Sequence, residues 1–185
     1  VLVAREAAQE VPVSCVERGR WRSVSAAFTT HSRSMPAEMR RRKTARVTSN
    51  LSATGSWAAD QGTVWEEVTE YATRRGVRSE TGALGDVFEA DRLSLEETQA
   101  RLPLVPGQVG VAAWLHGRLV SVELLFSDAI YAEAHGRITH SYAAETVGLP
   151  SERSEPAGGS APDAVTVLAM LGAVLAGEVT RRPAP

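Results

Sequence analysis

The stretch from Gln108 to Phe126 constrains the fold of this chain more than any other, because it alternates apolar and polar positions within a sequence otherwise patterned mostly for helix. His116-Gly117 can close it as a two-residue hairpin turn. Leu115 then pairs with Arg118, Ala113 with Val120 and Val111 with Val122, giving one uniformly apolar face and setting the carboxylate of Glu123 opposite Gly110. A second β-rich segment, Val11–Glu17, is expected as a strand, with Pro12 confining it to an edge or a strand start. Too few strands alternate with helices for a doubly wound sheet. The expected fold class is therefore α+β: a small, mostly antiparallel sheet packed by helices, in a single domain.

The helical segments are read from spacing and end signals. Ser34–Ser52 is expected as a helix with Ser34 as N-cap and Pro36 in its first turn. Asp60–Arg75 is the clearest, since Val64, Trp65, Val68, Tyr71 and Ala72 recur at helical spacing and Gly76 follows as a stop; either Asp60, or Thr63 with Glu66 as a capping box, can start it. A shorter helix is expected over Gly82–Ala90, and Ser94 with Glu97 forms a capping box for another that ends before Pro103. Ser127–Thr146 reads as a helix weakened internally by Gly136. The Ser-, Glu-, Pro- and Gly-rich stretch 150–162 reads as a flexible linker between an α+β domain over 1–149 and a C-terminal helix and tail over 163–185. Ser160 and Asp163 can cap that last helix, which is expected to run to about Val179.

Charge and cysteine content narrow the partners. A net charge of −2 supplies no global field toward nucleic acid or an anionic membrane. Lys43 is the sole lysine, so the positive charge is almost all guanidinium. The single cysteine, Cys15, excludes an internal disulfide and suggests a reducing compartment, hence a cytoplasmic location. The most apolar run, Ala164–Gly177, is short of the ~20 residues a bilayer crossing needs. It suits either core or a homodimer interface. Starting at Val1, the chain is expected to begin inside a domain, whose exposed sheet edge would also favour association.

No dinucleotide fingerprint, phosphate loop, paired-histidine helix or nucleophile elbow is present. His31, His116, His135 and His140 lack metal-ligand spacing, so neither a metal nor a cofactor is expected. Cys15 can be a stabilised thiolate nucleophile or a small buried apolar residue. The Arg33–Arg46 stretch lacks aromatic platforms and wraps its helix on every side, which favours a solvated surface over nucleic acid. Glu17 is a candidate general base or ribose ligand, with a salt bridge to Arg18, Arg20 or Arg22 as its structural alternative. Glu123 is a candidate acid or base on a ligand floor opened by Gly110, or else a paired structural carboxylate.

The runs Pro12-Val13-Ser14-Cys15-Val16-Glu17-Arg18-Gly19-Arg20-Trp21 and Gln61-Gly62-Thr63-Val64-Trp65-Glu66-Glu67-Val68 resemble the ADP-ribosylglycohydrolase- and rhodanese-phosphatase-associated protein domain family. Ser79–Leu84, Val105–Gly110, Gly117-Arg118-Leu119 with Glu123-Leu124, and Ser141-Tyr142 extend the likeness over roughly residues 10–145. The resemblance implies a role near NAD-derived or ADP-ribose metabolism, without naming a reaction. It singles out Glu17, Arg20, Trp21, Gln61 and Trp65 as two clusters that can converge on a nucleotide-like ligand. Arginine would bind phosphate, tryptophan would stack, and Gln or Glu would hold a base edge or ribose. The same residues also suit a structural corner, with the tryptophans in the core and Glu17, Arg20 and Gln61 satisfying backbone groups. A non-enzymatic oligomeric scaffold is the alternative functional class.

Overall fold

A computed structural model describes residues 8, 12–19, 33–115, 118–147 and 164–176. The described residues contain six helices and one two-stranded antiparallel sheet, an α+β fold as expected. They fall in two compact units: those of Val1–Pro103 and Gly136–Gly148, and those of Leu104–His135 and Leu149–Pro185.

The first unit is helical. Helix α1 (Ala37–Thr54) starts three residues later than Ser34, with Pro36 at the cap. Proline's fixed φ holds the chain extended there, and the Ser34 backbone is turned instead toward the His140 ring. Gly55, at φ 76°, closes the helix by donating to the Leu51 carbonyl. Helix α2 (Gln61–Arg74) is capped by Asp60, which accepts from the Gly62 N–H and the Thr63 hydroxyl. Its buried face is Val64, Val68, Tyr71 and Ala72, the recurrence legible in the sequence.

Helices α3 (Leu84–Ala90) and α4 (Arg92–Ala100) share Asp91 as the end of one and the cap of the other. Ser94 therefore lies inside α4 rather than at its N-cap. The start is set by the Asp91 carbonyl, which accepts from Leu95 N–H, while the Asp91 carboxylate stands 3.5 Å from Arg75. Met39, Val68, Tyr71, Ala72, Leu84, Val87, Phe88 and Leu95 form the core with Ala143 and Ala144 of α5 (Asp128–Thr146). Inside it the Tyr71 hydroxyl donates to the Ala144 carbonyl at 2.6 Å, and Arg75 donates to both groups.

The basic run of α1 is engaged by the protein. Arg40 donates to Ser141, Arg41 and Arg42 pair with Glu38, and Arg46 forms a bidentate bridge to Glu67 of α2 at 2.9 and 3.0 Å. The Arg41 hydrogen bonds, more than those from Arg42, hold the Glu38 carboxyl below its ordinary range.

Two further sequence expectations need correction. Residues 12–17 are not a strand: Glu17 makes one isolated bridge to Ala83, and the preceding residues have no strand partner among those described. The hairpin exists as β1 (Gly110–Leu115) and β2 (Arg118–Leu124), but an irregularity beside Ala113 and Trp114 shifts its register. Leu115 faces Arg118 as expected; beyond the irregularity Ala113 faces Ser121, Val111 faces Glu123 and Gly110 faces Leu124. Gly110 consequently opens no recess beneath Glu123. A Cβ there would collide with the Glu123 carbonyl oxygen and stand 3.2 Å from Leu124 Cα, so the glycine admits the neighbouring strand.

Helix α6 (Ala164–Ala176) belongs to the second unit. The turn His116-Gly117, the linker 150–162 and the caps Ser160 and Asp163 lie outside the described residues. No helix among the described residues is long and apolar enough to cross a membrane.

Candidate functional site

Three of the sequence runs singled out above meet at the start of α2. Gln61, its first residue, turns its carboxamide onto the backbone of Cys15. Nε2 donates to the Cys15 carbonyl at 2.7 Å and Oε1 accepts from the Cys15 N–H at 2.8 Å. A side-chain amide thus supplies the paired hydrogen bonds that a neighbouring strand would otherwise give residue 15. The extended look of Val11–Glu17 has this origin.

Two residues on, Glu17 docks against the start of α3. Its backbone bridges Ala83, Leu84 N–H donates to the Val16 carbonyl, and Gly85 N–H donates to Glu17 Oε1 at 3.0 Å. A Cβ on Gly85 would lie 3.3 Å from both Glu17 carboxylate oxygens, so the small residue lets the carboxylate approach. Ser79 and Thr81 donate to Asp86 and their hydroxyls accept from Ala83 N–H, which fixes the opposing turn. Gly19 completes the close packing, since a Cβ there would stand 2.6 Å from the Thr81 side chain.

Arg18 points out of this corner. Its guanidinium lies over the Trp65 ring, 5.4 Å from the centroid, within cation–π range. Arg18 is exposed and makes no ion pair among the described residues, whereas Arg74, further along α2, is paired with Glu70 at 2.7 Å. Arg18, Trp65, Thr69, Glu70 and Arg74 line an open groove of about 630 Å³ along the outer face of α2. Trp65 Nε1 is shielded and has no hydrogen-bond partner among the described residues.

Of the residues expected at a site, the structure brings Glu17, Gln61 and Trp65 together. Glu17 and Gln61 are bound to backbone groups, and half-buried Trp65 forms a wall of the groove. Arg20 and Trp21 lie outside the described residues. Glu123 belongs to the second unit, half-buried on β2, where its charge adds to burial in raising the Tyr131 phenol above its ordinary value. Cys15 is half-buried, with its Sγ 3.4 Å from the Glu17 backbone nitrogen. No group of His, Cys, Asp or Glu among the described residues is arranged to hold a metal.

The residues that sequence reasoning missed are Arg18 and His140. Arg18 lies within the first motif, where the sequence offers it only as a salt-bridge partner for Glu17. His140 is buried against Phe88, ring centroids 4.6 Å apart and edge to face. Burial, reinforced by the Arg33 charge, depresses its pKa below 6.5 despite a hydrogen bond to the Ser34 backbone. On acidification the unfolded chain therefore takes up this proton first, and stability falls as pH drops below 6.5. His140→Gln is expected to flatten that part of the stability-against-pH curve in urea titrations. An unchanged slope would place the proton elsewhere.

No curated protein and no solved structure matches the chain. The model of one protein family does, and it spans residues 1–184, well beyond the stretch of roughly 10–145 that the sequence motifs suggested. The motifs that build the corner of Gln61, Cys15, Glu17 and Trp65 are thus part of a likeness running through almost the whole sequence, and the chain belongs to the ARG and Rhodanese-Phosphatase-superfamily-associated Protein domain family.

Proposed function

We propose that this domain binds a nucleotide-derived small molecule of the ADP-ribose or NAD type in the groove on α2. The observation that carries the reading is the pairing of exposed Arg18 with Trp65 in that groove, 5.4 Å from guanidinium to ring centroid. An indole face accepts a base by stacking, and a guanidinium with no carboxylate partner among the described residues has its donor fork available for a phosphate. Family membership supports the ligand class through the ADP-ribose association that the resemblance implies. Gln61 and Glu17 hold the segment that presents Arg18, and Arg20 and Trp21, which follow Gly19 directly, are further ligand contacts in this reading. The proposal is one of binding first: Glu17, the candidate acid or base, is hydrogen-bonded to Gly85 and must leave it to act, and Glu123 belongs to the other unit.

Thermal unfolding with ADP-ribose, ADP and ribose 5-phosphate tests it. A ligand of the native state raises the midpoint progressively with concentration. Arg18→Gln is expected to weaken ADP-ribose binding by about tenfold or more, the worth of a charge-assisted hydrogen bond. The absence of a shift with any of the three would contradict the proposal.

The alternative, an oligomeric scaffold, draws on α6, where Val165 and Leu168 are 74% and 67% exposed. It requires a second copy to cover them. Light scattering decides it: a monomer at high concentration excludes the dimer, and an assembly dissociated by Leu168→Glu supports it.

A further inference from the structure

Helical periodicity divides the residues of the α2 groove into two rows. Trp65, Thr69 and Thr73 follow one another at i,i+4, and Glu66, Glu70 and Arg74 form a second row beside them. The Thr69 hydroxyl donates to the Trp65 carbonyl at 2.9 Å and the Thr73 hydroxyl to the Thr69 carbonyl at 2.8 Å. Both threonines thus use their hydrogens within the helix and have only lone pairs left to offer. Glu66 and Glu70 are acceptors outright. Beyond Arg18 this wall is therefore rich in acceptors, and its donor, the Arg74 guanidinium, is held by Glu70 at 2.7 Å.

Glu66 stands apart from the carboxylates that follow it on α2. Glu67 forms the bidentate bridge to Arg46, and Glu70 pairs with Arg74. Glu66 is exposed in the groove, and its carboxylate makes neither an ion pair nor a hydrogen bond among the described residues. The helix gains nothing from it there: Glu66 and Glu70 are like charges at i,i+4, which oppose each other across one turn. Two donors held side by side on a ligand would satisfy both oxygens of Glu66.

The place of Glu66 in the groove says which donors these are. It follows Trp65 directly in the chain and lines the same groove. The ribose of a nucleotide is attached to its base, so a base stacked on the indole brings its sugar to the residues beside Trp65 and leaves the 5′-phosphate for Arg18. The 2′- and 3′-hydroxyls of that ribose are two adjacent donors, the complement of a carboxylate. A carboxylate that holds a ribose hydroxyl also repels a phosphate esterified there, whereas an arginine in its place accommodates one.

We infer that Glu66 is the specificity-determining residue of the α2 groove: it accepts from the free 2′- and 3′-hydroxyls of an adenosine ribose and excludes nucleotides phosphorylated at the 2′ position, a role that rests on the groove being a nucleotide site.

Calorimetric titration of the whole chain with ADP-ribose and with ADP-ribose 2′-phosphate tests this selection. The native protein is expected to bind the 2′-phosphate about tenfold or more weakly, since that ligand loses a charge-assisted hydrogen bond and meets like charge. Glu66→Gln is expected to narrow the gap by removing the repulsion, and Glu66→Arg to reverse the order of the two ligands. A residue that only supported the fold would weaken both ligands together, so the ratio of the two affinities carries the result, with the urea midpoint of each variant checking that α2 is intact. Equal affinity of the native protein for the two ligands, or a preference for ADP-ribose that persists unchanged in both variants, would overturn the role of Glu66 and leave the groove standing as a nucleotide site. Binding of neither ligand by the native protein would overturn both.

Discussion

Gln61→Leu is expected to lower the stability of the fold by about 2–4 kcal/mol, because it removes both hydrogen bonds to the Cys15 backbone and leaves a half-buried N–H and C=O without partners. Leucine keeps the bulk and a good helix propensity at the first residue of α2, so the loss reports the amide. Urea unfolding followed by circular dichroism measures it. A midpoint shift below that of an ordinary surface substitution, about 0.5 kcal/mol, would mean that residues 12–19 are not tied to α2 in this way. Since Arg18 is presented by the same segment, the substitution is also expected to weaken any ligand in the groove, even where the protein remains folded.

A second large effect is expected at Leu84. It is fully buried at the first position of α3, one residue before the Gly85 N–H that holds Glu17. Leu84→Ala removes side-chain volume in contact with the core of α2, α4 and α5 and is expected to cost about 2–5 kcal/mol, with the upper part of that range if the surroundings cannot close the cavity. Equilibrium unfolding checks the value, and hydrogen exchange at Gly85 checks the coupling: loss of the anchor should speed exchange there. A neutral substitution would show that α3 is not anchored through this residue.

How far the sequence foretells this structure depends on the range of the interactions concerned. Helix α2 was legible because Val64, Val68, Tyr71 and Ala72 recur on one face and Asp60 caps locally. The hairpin was legible from its alternation, yet its register was not. The irregularity beside Ala113 and Trp114 leaves an apolar face under either pairing, so hydrophobicity could not choose between them. Val11–Glu17 was misread for a related reason: its extended pattern is real, but its partners are a glutamine side chain 46 positions away and a single bridge to Ala83. Within the site, Gln61 and Trp65 stood out by residue type, whereas Arg18 was one arginine among several until the backbone turned it onto the indole. His140 gave no local sign of burial. Its environment comes from Phe88 on α3 and from Ser34, 106 positions earlier in the chain.

Calorimetric titration of ADP-ribose into the native protein and into Trp65→Leu tests the central functional claim most directly. Trp65 is half-buried at the groove and its indole N–H has no partner among the described residues, so leucine should leave stability within about 1 kcal/mol of the parent. The expected result is a saturable heat for the native protein, lost or weakened by about tenfold or more in Trp65→Leu at unchanged unfolding midpoint, since stacking on an aromatic face is worth about 1–3 kcal/mol per base. Equal affinity of the two proteins for ADP-ribose, or no saturable binding by the native protein, would contradict the assignment of the Arg18–Trp65 groove as a nucleotide site.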